Sequence, residues 1–95
     1  MLTEAEVRDA LREVVDPEIG INVVDLGLVY NVALHDRDVH VAMTMTTQAC
    51  PLHGYLTAAA EAAIRARSPD AERVVVEIVW EPPWHPGMMS QAARR

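Results

Sequence analysis

A single cysteine, Cys50, stands directly before Pro51 and three residues before His53. Proline fits the first position of a helix, where its missing donor is not needed, so Cys50 is predicted at a helix start. Unpaired backbone N–H groups and the helix dipole there favour the thiolate over the thiol, and a thiolate binds metal or attacks an electrophile. Read alone, a lone cysteine is as readily a small buried apolar residue. Cys50 and His53 are spaced to face one way on the first helical turn, a weak candidate ligand pair. Zinc sites use three or four protein ligands, and His53 reads more simply as a surface histidine.

Asp16 and Glu18 flank Pro17. Two carboxylates so close can act as acid and base or bind a cation, but Asp also bonds nearby backbone donors in turns. Asp25, between apolar residues, can cap a local turn in the same way. Thr44, Thr46 and Thr47 bring hydroxyls near the Cys50 segment, suited to a sulfur or an anionic ligand, although threonine also favours strands. Trp84, set among Pro82, Pro83 and Pro86, either covers a pocket or partner surface or pins its loop to the core. His35, His40 and His85 share no spacing. Neither nucleophile-elbow glycines nor a phosphate-binding glycine loop is present, so the sequence supports no enzymatic activity.

The elements that must position these groups can be read in order. Thr3 and Glu6 have capping-box spacing, with Leu2 and Val7 placed as a staple. Val7, Ala10, Leu11 and Val14 then give one apolar helical face, which Pro17 ends. Residues 22–27 carry too many loop formers for a strand. From Leu28 the alternation Leu28, Tyr30, Val32, Leu34 predicts a strand, Asp36-Arg37-Asp38 a turn, and Val39, Val41, Met43, Met45 the returning strand. Leu52, Leu56, Ala59, Ala63 and Ile64 form the buried face of the helix that follows Cys50, ended at Ser68-Pro69. Arg73 to Trp80 reads as a third strand, with Val74, Val76, Ile78 and Trp80 on one face, and a short helix follows the proline-rich loop. The order α-β-β-α-β-α predicts an α/β fold, an α+β two-layer sandwich with helices on one face of a three-stranded mixed or antiparallel sheet.

The chain's 95 residues, 51% hydrophobic, make one domain over residues 1–95. The formal charge is -6, with eight arginines and no lysine, so no basic stripe exists to neutralise a phosphate backbone, and nucleic acid is excluded as a partner. No apolar run approaches the length of a membrane helix. The N-terminal residues lack the apolar core of a signal peptide, and one cysteine forms no disulfide within the chain. A cytoplasmic location is expected.

Taken together, residues 15–30 (Val15-Asp16-Pro17-Glu18-Ile19-Gly20 through Asp25-Leu26-Gly27-Leu28-Val29-Tyr30), Met43-Thr44-Met45-Thr46-Thr47, Cys50-Pro51-Leu52 and Val79-Trp80-Glu81-Pro82-Pro83-Trp84 resemble the PaaD-like and SufT-like family of metal-sulfur cluster assembly factors. The resemblance covers nearly the whole chain. It implies an iron-sulfur cluster assembly domain similar to the NifU C-terminal domain, and a role in maturing iron-sulfur proteins without turnover. It also implies that Cys50 is the group that handles iron or a transient iron-sulfur cluster, and that Asp16, Glu18, Thr46, Thr47 and Trp84 belong to the functional loops. Glu81 stands where Asp is commoner, and Gln48-Ala49 where Pro-Gly is frequent. The cysteine-rich extension of the phenylacetate-pathway members is absent.

Three readings follow. In the first, the chain assembles or transfers clusters through Cys50. One cysteine cannot fill a four-cysteine site, so the cluster is shared across a homodimer, partly solvent-ligated or completed by others. The partners are client apo-iron-sulfur proteins, the assembly machinery or a P-loop cluster-carrier ATPase. The second is a metal-free adaptor that recruits client apoproteins through the Trp84 loop. The third is a thiol-dependent hydrolase or transferase.

Overall fold

The computed structural model describes residues 2–46, 53–91 and 93. Helix α1 (Glu4–Leu11) starts where the Thr3 hydroxyl accepts the Glu6 N–H at 3.2 Å, satisfying one of the donors a helix start leaves open. It ends well before Pro17. Glu13 and Val14 donate to the Ala10 and Leu11 carbonyls, three residues back, which tightens the last turn. The chain then turns extended so that Val15 bridges Asn22. The β-branched pair Val14-Val15 is better spent in that small ladder, with Val14 buried at its start.

Strands β1 (Val29–His35) and β2 (Asp38–Met43) form an antiparallel hairpin around Asp36, whose φ of 54° makes the turn. Helix α2 (His53–Arg67) then carries the chain back, so that β3 (Arg73–Ile78) joins β2 in parallel. Parallel neighbours need such a crossover, and it settles the sheet as mixed, in the order β1-β2-β3. A 3-10 turn (Pro86–Met88) takes the place of the short last helix.

Both helices lie on one sheet face. Val7, Ala10 and Leu11 of α1, Leu56, Ala60 and Ile64 of α2, and Val32, Val39, Val41, Met43 and Val74 of the strands form one buried cluster. Burying each larger aliphatic side chain is worth about 1.5–3 kcal/mol.

Two strand expectations change. Val29 pairs with Met43 and Asn31 with Ala42, so Tyr30 is the extra residue of a bulge. The bulge shifts the alternation: Val29 and Val32 are both buried, and Leu34 is exposed. Strand β3 stops at Ile78, short of Trp80, although the Val79 N–H still donates to the Met43 carbonyl at 2.8 Å.

Candidate functional site

Register decides where the site lies. Val29, at the entry to β1, pairs with Met43, at the exit of β2, and Met43 pairs with Ile78, at the exit of β3. The segments before β1, after β2 and after β3 therefore meet at one end of the sheet. The Thr44 N–H donates to the Leu28 carbonyl at 2.8 Å and extends the pairing into that end.

The segment before β1 is a compact turn. The Asn22 side chain accepts the Asp25 N–H at 2.9 Å and donates to the Asp25 carboxylate at 2.8 Å. Val23, Leu26 and Leu28 are fully buried and anchor it. Gly27, at φ +78°, closes the turn, and a Cβ there would collide with the Met88 carbonyl. Glycine is required both for the backbone angle and for the close approach.

The segment after β3 clasps this turn. The Trp84 indole donates to the Leu26 carbonyl at 2.7 Å, and the Ser90 N–H donates to the Asp25 carbonyl at 2.7 Å. The Tyr30 hydroxyl, turned by the bulge, donates to the Pro82 carbonyl at 2.6 Å, with the Met88 sulfur 3.5 Å away. Burial pushes the Tyr30 pKa above its ordinary 10.0, the Thr44 hydroxyl opposes this, and the Glu81 carboxylate adds to it. The Thr44 hydroxyl itself is buried without a hydrogen bond of good geometry. Its contact with Tyr30 thus influences the phenol but falls short of a formed bond.

The acidic turn is a separate unit. Asp16 is 2% exposed, and its carboxylate accepts the Glu18 N–H at 2.9 Å. Its carbonyl accepts from Gly20 at 2.7 Å, and its N–H donates to Ile21 at 3.0 Å. Asp16 builds the turn, while Glu18 is exposed beside it. The Val15–Asn22 bridge ties this unit to the Asp25 turn through Asn22.

Among the residues singled out in the sequence, Asp25 and Trp84 are brought together, and Thr46 follows β2 at the same end of the sheet. Asp16 and Glu18 stand one turn away. His53 opens α2. Thr47 and Cys50 lie outside the described residues. Among the described residues, no three His, Cys, Asp or Glu side chains are grouped to hold a metal ion, and no helix is long and apolar enough to cross a membrane. Sequence reasoning missed Asn22, Tyr30 and Met88. Asn22, three residues before Asp25, carried a local capping signal; Tyr30 and Met88 gain their roles from contacts 52 and 58 residues apart.

Residues 4–78 match the family model described as iron-sulfur cluster assembly protein. The chain belongs to that family. This iron-sulfur cluster assembly domain is 40% identical over 89 residues to the Fe-S protein maturation auxiliary factor YitW of Bacillus subtilis, covering 93% of this chain and 86% of that protein. It is 42% identical over 82 residues to the Fe-S protein maturation auxiliary factor SufT of Staphylococcus aureus, covering 85% and 92%. The structure of a DUF59 domain from Bacillus anthracis superposes with a TM-score of 0.93 at 34% identity, covering 96% of this chain and 87% of that one. The resemblance to SufT-like assembly factors, the α+β fold and the assignment to iron-sulfur assembly are thereby borne out.

Proposed function

We propose that this chain is a maturation or transfer factor for iron-sulfur clusters, acting without turnover, and that Cys50 holds iron or a cluster transiently or docks on the client. The observation that carries the reading is the convergence of three segments at one end of the sheet, in a member of the iron-sulfur cluster assembly family. Cys50 follows β2 and precedes α2 in sequence, and this order supports assigning it to the end of the sheet where the clasped loops meet. The cluster is cargo: with one cysteine per chain, a second copy, a partner or solvent completes its ligands.

The partners on this reading are apo-iron-sulfur clients, the assembly machinery or a P-loop carrier ATPase, with a homodimer as the working form and the cytoplasm, where a lone thiol stays reduced, as its location. On this reading Glu18, Thr46 and Thr47 assist Cys50, and His53, three residues on in the sequence, is a further candidate. The adaptor reading needs Trp84 as a contact residue, yet its indole N–H already serves the Leu26 carbonyl.

Anaerobic reconstitution with iron and sulfide, comparing the parent with Cys50→Ala, tests the proposal. A Cys50-dependent absorbance and iron content, with lost client maturation in the variant, is the expected result. Folded proteins that both mature the client without binding iron would replace it with the adaptor.

A further inference from the structure

We propose that Met88 is an oxidation site whose conversion to the sulfoxide by a hydroperoxide unlatches the loop after β3 from the turn before β1. Four described methionines other than Met1 can be compared. Met43 and Met45 are buried at 0% and 2% exposure, and Met89 packs against the core. Met88 is half-buried as well, but it lines an open groove of about 710 Å³ shared with Tyr30, Glu81 and Pro82, which gives a dissolved oxidant a route to its side chain. Thioether oxidation follows such access. The sulfur lone pair takes the peroxide's terminal oxygen as the O–O bond breaks. The thioether loses two electrons, and the peroxide leaves as water or an alcohol.

The local geometry gives this reaction a consequence. The Tyr30 hydroxyl has one proton; it goes to the Pro82 carbonyl at 2.6 Å, with the Met88 sulfur at 3.5 Å. A sulfoxide oxygen is a far stronger acceptor than a thioether and competes for that proton. It does not fit between the two groups, because an O–H···O bond alone spans about 2.7 Å. Retreat is blocked on the backbone side, where the Met88 carbonyl sits against Gly27. An oxidised side chain that engages the Tyr30 hydroxyl therefore draws Tyr30 from Pro82 or shifts Met88 from Gly27, and each movement opens the clasp.

The experiment treats the full chain with hydrogen peroxide and follows each methionine peptide by mass spectrometry, with amide hydrogen exchange read on the same samples. Met88 sulfoxide should form at least about tenfold faster than sulfoxide at Met43 or Met45, with faster exchange confined to residues 79–91 and 22–28. Met88→Leu should abolish the exchange change, and Met88→Gln should reproduce it without peroxide. A parallel Cys50→Ser protein separates thiol from thioether oxidation. Oxidation of Met88 no faster than Met43, unchanged loop exchange after oxidation, or exchange rising throughout the chain would each overturn the proposal. None of these readouts depends on iron binding or client maturation.

Discussion

The Trp84 indole donates to the Leu26 carbonyl at 2.7 Å, joining residues 58 positions apart. The bond fixes the loop after β3 to the turn before β1, neither of which has strand partners of its own there. Trp84→Phe keeps the ring's apolar contact with the core but leaves the Leu26 carbonyl unpaired, which costs about 1–3 kcal/mol. Urea unfolding should show a lower midpoint at unchanged slope. A variant as stable as the parent would show that the loop is held by other contacts.

Two glycines with similar backbones should respond differently to alanine. Gly20, at φ +82°, has open space around a new Cβ, whereas Gly27, at φ +78°, faces the Met88 carbonyl. Gly20→Ala should cost about 1–2 kcal/mol from the backbone angle alone. Gly27→Ala should cost about 1–3 kcal/mol more, because the loop must move. Thermal unfolding of the two variants checks the order, and equal losses would contradict the contact.

Asp16, at 2% exposure, is too enclosed to exchange protons with a substrate, and its carboxylate serves the Glu18 N–H. Asp16→Asn retains an acceptor oxygen and should stay within about 0.5 kcal/mol of the parent while still supporting client maturation. Asp16→Ala should lose about 1–2 kcal/mol. A folded Asp16→Asn protein inactive in maturation would show that the charge itself is used.

The Tyr30 pKa is raised, first by burial, against the pull of Thr44 and with the help of Glu81. A raised folded-state value means that this contribution to stability is complete below about pH 10, the unfolded value, and is lost as pH climbs through the higher folded value. Tyr30→Phe should be less stable near neutral pH, having lost the bond to Pro82, and should lack that alkaline decline. Thr44→Val removes a buried hydroxyl without a formed bond. It should be neutral or slightly stabilising and should push the Tyr30 titration further up, as read by tyrosinate absorbance. A downward movement would refute the assigned role of Thr44.

The sequence by itself determined what depends on neighbours along the chain. The Thr3 cap, the spacing of Val7, Ala10 and Leu11, the hairpin turn at Asp36 and the buried face of α2 are local matters of periodicity and turn chemistry. The motif set also placed the chain in its family, because four segments in fixed order are specific where each alone is weak. Only the tertiary structure decided that β3 runs parallel to β2, since side-chain alternation is the same in either direction. It also decided that Tyr30 is a bulge residue, which a strict two-residue period cannot reveal. The clasp of Trp84, Ser90 and Tyr30 on Leu26, Asp25 and Pro82 is a set of hydrogen bonds to backbone carbonyls. Every residue has a carbonyl, so side-chain identity cannot name the partner; the fold does so by bringing one carbonyl within reach.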